Sequence, residues 1–254
     1  MYRNQYIKLA KQAADLQIRE LKKIKKIFNR SFIQAVDLIL NCRGKVIFAG
    51  IGKSGLIARK ISATFSSVGI PSFFCDPAQA IHGDMGQIEK KDILIIFSYS
   101  GNTTELNNML KYANRFRIKI IGAASKSDSL LLKASDIKLL LPTVKESDLT
   151  GMVPTTSTSI TLLLGDCLAT TVMSKKRFSK EKFKIFHPGG NIGGKLLLAK
   201  DIMVTGNELP VIDYKKNLGE ALKVINKKKL GIVVILKNRF IEGLLLLILD
   251  PIRF

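Results

Sequence analysis

The sequence predicts an α/β fold, a doubly wound parallel sheet with helices on both faces, and three observations carry that prediction. Short runs that are apolar almost throughout recur along the chain, as in Asp92-Ile93-Leu94-Ile95-Ile96-Phe97-Ser98. Stretches of helical periodicity alternate with them, which is the pattern of parallel strands buried on both faces. The run Lys45-Val46-Ile47-Phe48-Ala49 also meets three glycines, Gly50, Gly52 and Gly55, just where helical periodicity begins. That order reads as strand, tight turn, helix.

Taken in order, the chain opens on a helical segment. Ala14, Ile18, Leu21, Ile24, Phe28, Phe32, Val36 and Ile39 recur at three- and four-residue gaps, giving one apolar stripe down a long helix or a broken pair. That stripe is longer than one small core can cover, so part of it is expected to pack on another subunit. After the glycine turn come a brief strand at Pro71–Cys75, the buried strand at 92–98, a helix over Thr103–Arg115, and strands at Ile118–Ala123 and Ile137–Leu141. Thr155 to Met173 reads as an apolar helix with a Ser/Thr cap and one charge, Asp166.

Length and composition bound the function. The 254 residues give room for one ordinary domain plus a smaller one. The cysteines Cys42, Cys75 and Cys167 are scattered among apolar neighbours, which reads as a reduced cytoplasmic protein with no metal-ligand spacing. The lysine-rich start lacks the apolar core of a signal peptide, and Lys237, Arg239 and Glu242 interrupt the most apolar tail, so neither export nor a membrane span is expected. A net charge of +21 raises the question of nucleic acid. The bases are spread along the chain, and the clusters at 22–26 and 227–229 lack interleaved aromatics, which points to a solvated surface.

In a parallel sheet ligands sit beyond the carboxyl ends of the strands, so the residues following each apolar run are the informative ones. Backbone N–H groups at the helix start after Gly50-Ile51-Gly52-Lys53-Ser54-Gly55 suit an anion. The spacing satisfies G-x-G-x-x-G, and Asp76 lies about twenty residues on, where a dinucleotide fold keeps its ribose carboxylate. It is not a Walker loop, since Ile47 stands where the first glycine belongs. After the third strand, Ser98-Tyr99-Ser100-Gly101-Asn102-Thr103-Thr104-Glu105 gathers hydroxyls at another helix start. These suit a phosphate monoester, or else a plain helix cap with Glu105 in the first turn.

Five motifs then occur in one order: Gly52-Lys53-Ser54-Gly55, His82-Gly83-Asp84, Ser98-Tyr99-Ser100-Gly101, Pro154-Thr155-Thr156-Ser157-Thr158 and His187-Pro188-Gly189-Gly190. In this the chain resembles the sugar isomerase (SIS) family from about residue 30 to beyond 200, and more narrowly its arabinose 5-phosphate isomerases. The resemblance implies a flavodoxin-like three-layer sandwich and a homo-oligomer, a tetramer. It also implies interconversion of ribulose 5-phosphate and arabinose 5-phosphate at the entry to lipopolysaccharide inner-core synthesis, with no cofactor. Motif matching places the catalytic group at Lys53, Glu105, Glu146 and His187. Substrate contacts fall on Gly52, Ser54, His82, Ser98, Ser100 and Thr103. His187, one of two histidines, sits on a chain reversal expected to reach a neighbouring subunit's site. Tyr99 and Asn102 depart from the family's Ser-Asn-Ser-Gly-Glu loop, a change expected to touch substrate contacts. Asp76 replaces a histidine linked to an inhibitory metal, so no metal site is expected.

The chemistry asks for these residue types. Moving a carbonyl between C1 and C2 needs ring opening, removal of a proton, an enediolate, and return of the proton to the neighbouring carbon. Glu146 or His187 suits the proton shuttle, Lys53 the oxyanion, and Glu105 ring opening or positioning. A sugar-phosphate sensor that binds without turnover is the alternative, and a dinucleotide dehydrogenase a distant third.

The domain organisation expected is a helical segment over 1–40, the SIS domain over 41–185, a connecting segment over 186–200, and from 201 to 254 a unit resembling a partial CBS module. Its expected elements are Leu209-Pro210-Val211-Ile212, a helix over Leu218–Asn226, and Gly231–Ile235. With no second module to pack on, the apolar stretch 243–249 is expected to pair between subunits or order poorly, and to confer no adenine-nucleotide control.

Overall fold

The computed structural model describes residues 2–179, 182–183, 186–187 and 199–247, which fall into two units, 1–196 and 197–254. The first is organised on a five-stranded sheet: β1 (Val46–Ala49), β2 (Ser72–Phe74), β3 (Ile93–Phe97), β4 (Lys119–Ala124) and β5 (Ile137–Leu140). The order is β2-β1-β3-β4-β5 with every neighbouring pair parallel, and Ala49 stands opposite Ile96. This is the expected flavodoxin-like winding, in which the connections leave β1 in opposite directions.

Alternation along each strand makes two cores. Phe48, Ile93, Ile95, Phe97, Ile121 and Leu139 face one side, which α2 (Arg30–Leu40), α3 (Gly52–Ser67) and α7 (Thr156–Lys175) cover. The Phe48 ring lies 4.9 Å from Phe65 of α3 and 6.2 Å from Phe97, an aromatic centre beneath the glycine turn. Ile47, Ala49, Leu94, Ile96 and Ile120 face the other side, under α4 (Pro77–Ala80), α5 (Leu106–Arg115) and α6 (Leu130–Ala134). Strands buried on both faces carry no polar side, which is why they read as continuous apolar runs.

The N-terminal stripe forms a broken pair. α1 (Tyr2–Leu21) passes into a 3₁₀ turn over Lys22–Ile27, and Asn29 then starts α2, its side chain accepting the Ser31 N–H at 2.9 Å. Ile24, Val36 and Ile39 are buried, whereas Ile18 is 57% exposed. The buried residue in the last turn of α1 is an acid, Glu20. The helix expected from Thr103 begins only at Leu106. Ser98 Oγ and Thr103 Oγ1 lie 2.8 Å apart, and that hydrogen bond holds the preceding residues as a loop.

In the second unit β6 (Val211–Asp213), α8 (Leu218–Lys228), β7 (Ile232–Lys237) and β8 (Phe240–Leu246) form a small sheet ordered β6-β7-β8. β6 and β7 are parallel, β7 and β8 antiparallel. A capping box between Asn217 and Glu220 starts α8. Ala221, Ile225 and Val233 are its buried core, while Phe240, Ile241, Leu244 and Leu246 of β8 are exposed. The end of the apolar stretch, 248–249, lies outside the described residues.

Asp92 ties together the entry ends of β1 and β3. It is buried, with Oδ1 accepting the Lys45 N–H at 2.7 Å, Oδ2 accepting the Glu89 N–H at 2.8 Å, and the Lys45 ammonium 3.1 Å from Oδ2. Asp92→Ala strands two N–H donors, so it is expected to cost about 3 kcal/mol in urea unfolding. A loss of less than about 1 kcal/mol would contradict this role for the carboxylate.

Candidate functional site

The carboxyl ends of β1 and β3 lie side by side, so the loops 50–54 and 98–105 share one edge of the sheet. Two of the glycines are there for close packing. A Cβ on Gly50 would sit 2.9 Å from the Phe97 carbonyl oxygen, and one on Gly55 would sit 2.6 Å from the Gly50 carbonyl oxygen. Gly52 differs: its φ is +57° and it faces open space, which marks it as the turn at the crevice itself.

Helix caps separate this crevice from the rest of the chain. α2, α4, α6 and α8 are capped by the side chains of Asn29, Asp76, Ser129 and Asn217. α3 and α5, the helices leaving β1 and β3, have no side-chain cap. The first turn-closing bond of α3 runs from the Gly55 N–H to the Ile51 oxygen at 3.3 Å, so the N–H groups of Gly52, Lys53 and Ser54 precede it. Lys53 is exposed in this turn and Ser54 half-buried.

Beyond β3 the hydroxyls divide into two roles. Ser98 is buried, and its Oγ also accepts the Gly101 N–H at 3.1 Å, so it shapes the loop. Ser100 is exposed and Thr103 half-buried. Glu105 is exposed and does not cap α5; its Oε2 accepts the Thr104 hydroxyl at 3.0 Å. The capping reading of this loop therefore fails. From β2, the α4 turn brings His82, exposed, to the same end of the sheet. Asp76, the candidate ribose carboxylate, is engaged as the cap of α4, accepting the Ala78 N–H at 2.9 Å.

Glu146 comes from the far side. Tyr99, Ser100, Glu146, Leu149, Met152 and Ser157 are among the residues lining a cleft of about 720 Å³. The Glu146 Oε2 accepts the N–H groups of Thr155, Thr156 and Ser157 at 2.8, 2.7 and 3.2 Å, and the Thr155 hydroxyl at 2.9 Å. Glu146, rather than the expected Ser/Thr side chain, is thus the cap of α7. Burial pushes its carboxyl up, but the hydrogen bonds from Ser157 and Thr155 outweigh that and leave it below its ordinary value of 4.5. Tyr99 also departs from expectation. Its hydroxyl donates to the Pro142 oxygen at 3.2 Å and accepts the Val144 N–H at 2.8 Å, which makes it a brace for the segment carrying Glu146.

His187 is not brought to this edge by its own chain. Its Nδ1 lies 2.9 Å from the Phe183 carbonyl oxygen, and its ring stacks on Phe183 at 3.8 Å. Neighbouring Phe186 packs against Gly69, where a Cβ would meet its ring at 3.1 Å. Gly69 follows the last turn of α3, roughly 20 Å from Lys53 at about 1.5 Å per residue. Pro188, Gly189 and Gly190 lie outside the described residues. Among the described residues no group of three or more His, Cys, Asp or Glu side chains could hold a metal, and no helix is long and apolar enough to cross a membrane.

Comparisons with known proteins identify the family. The SIS domain model matches residues 39–171. The arabinose 5-phosphate isomerase KdsD of Yersinia pestis is 39% identical over 240 residues, 92% of this chain and 73% of that protein. A probable arabinose 5-phosphate isomerase of Haemophilus influenzae is 37% identical over 244 residues, 96% of this chain and 72% of its own length. A solved structure from E. coli CFT073, in complex with arabinose 5-phosphate, superposes with a TM-score of 0.71 at 33% identity, over 74% of this chain and 100% of that one. Parallel sheet, open helix starts and sequence together define the class: the chain belongs to the SIS family. Within it the chain is of the arabinose 5-phosphate isomerase type, an aldose–ketose isomerase.

A carboxyl depressed on folding stabilises the fold above its unfolded value and loses that contribution as pH falls through the folded value. Glu146→Gln should therefore unfold about 1 kcal/mol more easily than the wild type at pH 7. That gap should close as pH falls below 4.5, the ordinary value. Urea titrations at pH 7 and pH 3 test this, and a gap that does not change with pH would contradict it.

Proposed function

We propose that this chain interconverts D-ribulose 5-phosphate and D-arabinose 5-phosphate. The observation that carries the reading is the pair of uncapped helix starts, α3 and α5, at the β1/β3 crevice, in a unit where side chains cap α2, α4, α6 and α7. The phosphate of the sugar occupies that opening, held by N–H groups around Gly52 and Ser54 and by the hydroxyls of Ser54, Ser100 and Thr103, with Ser98 keeping their loop in shape. His82 contacts the sugar from the α4 side. Carbonyl and hydroxyl only change places within one molecule through proton transfers, so no redox cofactor takes part.

The ketose is open-chain, since its C5 oxygen carries the phosphate, so from this side Glu105 assists positioning, and from the aldose side ring opening. A base takes a proton from C1, and the electron pair forms the C1–C2 double bond of the enediolate while charge collects on the C2 oxygen. Lys53 stabilises that charge. Return of the proton to C2 and transfer of the C1 hydroxyl proton to the C2 oxygen leave the aldehyde, with no net gain or loss of protons. The occupied Oε2 and depressed proton affinity of Glu146 favour His187 as the shuttle, with Glu146 a fixed anion beside the cleft. His187 then has to come from a neighbouring copy, in a homo-oligomer such as a tetramer. A phosphorylated pentose destined for lipopolysaccharide core synthesis suits a cytoplasmic enzyme. The order β6–α8–β7–β8 supports reading 201–254 as a partial CBS module.

Lys53→Ala and His187→Ala are each expected to lower kcat about 100-fold or more. Mixing the two inactive proteins under conditions of subunit exchange should restore part of the activity, since some sites then hold both groups. Ser100→Ala should weaken inorganic phosphate and sugar phosphate alike. Full activity in either single variant removes that residue from the mechanism. Binding of sugar phosphate by the wild type without conversion would identify a sensor.

A further inference from the structure

We propose that Glu20 of α1 is a positioning residue for Glu146, and that the N-terminal helix acts as a latch on the segment carrying it. This rests on the reading of Glu146 as a functional group of the isomerase site.

Every residue from 142 to 147 is tied to another element. The Pro142 oxygen and Val144 N–H bond the Tyr99 hydroxyl, and Glu146 caps α7. The residues between them are held by α1 and the turn after it. Glu20 Oε2 accepts the Lys145 N–H at 3.0 Å and the Lys23 ammonium at 2.6 Å. Lys23 also donates to the Thr143 oxygen at 3.2 Å. Gln17 donates to the Ser147 hydroxyl at 3.1 Å and accepts from Ser159 of α7 at 3.1 Å. Thr143 and Lys145 thus go to the N-terminal segment and Pro142, Val144 and Glu146 to Tyr99 and α7. Ser147 bonds both, its N–H donating to Thr155 Oγ1 at 2.9 Å.

Glu20 is the one buried acid among the described residues of α1, on a helix that otherwise exposes Tyr6, Ile7, Leu9 and Ile18. An acid is costly at a buried position unless it is paired. Here the Lys23 hydrogen bond, then the Lys145 N–H, hold its carboxyl below the ordinary range, so it is ionised at neutral pH. A purely packing helix would place one of those apolar side chains there. Glu20 instead fixes the backbone one residue before Glu146, and a displacement of about 1 Å at such a group is worth about 100-fold in rate.

The test compares Glu20→Ala, Glu20→Gln and Asp92→Ala, a destabilising control at the opposite edge of the sheet. Glu20→Ala is expected to lower kcat at least about tenfold with KM within about twofold, and Glu20→Gln, which keeps an acceptor for the Lys145 N–H, to recover much of the loss. In a Glu146→Gln background the Glu20→Ala effect should fall below about twofold. The Glu146 carboxyl, followed by ¹³C NMR, should titrate higher in Glu20→Ala and unchanged in Asp92→Ala. That titration needs no turnover, so an inactive wild type overturns the reaction assigned above and leaves the latch decided by the NMR result. An unmoved Glu146 titration, or equal kcat losses in Glu20→Ala and Asp92→Ala, overturns the latch.

Discussion

The parallel pairing of β1 with both β2 and β3 is the constraint on which the rest of the first unit depends. It sends the chain to opposite faces on leaving β1 and β3, so α3 and α5 start from adjacent strand ends and diverge. Between them opens a crevice whose floor is backbone. Gly50 and Gly55 let that backbone close up against β3, and Gly52 turns it outward. The burial of Phe48, Phe65 and Phe97 beneath keeps the floor rigid, because a packed core has no slack to transmit movement upward.

Helix electrostatics then sort the site. Three helix starts matter, and the chain supplies its own anion to only one of them. Glu146 neutralises the N-terminus of α7, and in doing so gives up proton affinity in exchange for a fixed place beside the cleft. The starts of α3 and α5 receive no carboxylate from within, and at α3 this leaves the N–H groups of Gly52, Lys53 and Ser54 open to an anion. On the proposed reading a carboxylate and a phosphate are held on separate helices, with Lys53 in the first turn of the one that takes the phosphate. Such preorganisation costs nothing at the moment of reaction.

Much of this is legible in the sequence, for identifiable reasons. Strands buried on both faces carry no polar alternation, so β3 and β4 announce themselves as apolar runs, and glycines mark the turn after β1. Motif order singles out Lys53, Ser100, Thr103 and Glu105, and the pairing of β1 with β3 puts their two loops at one edge of the sheet. Contacts between residues far apart in sequence are not legible. Glu20 lies 125 positions from Lys145, and no local pattern shows that an acid in a lysine-rich helix is buried. Tyr99 reads as a substrate contact because its loop position is visible in the sequence, while its partners at 142 and 144 are not. Glu146 displaces the hydroxyl cap expected for α7 because a carboxylate accepts several N–H groups at once. The place of His187 at the far end of α3 depends on Phe178 and Phe186 closing over Gly69, which spacing does not reveal.

The central claim is that a proton leaves one carbon and returns to its neighbour through an enediolate held at the β1/β3 crevice. It is tested most directly by incubating the full chain with D-ribulose 5-phosphate in D₂O and following C1 and C2 by NMR. The account predicts D-arabinose 5-phosphate carrying solvent deuterium at C2. Ketose that stays unconverted, with no exchange at C1, would contradict it.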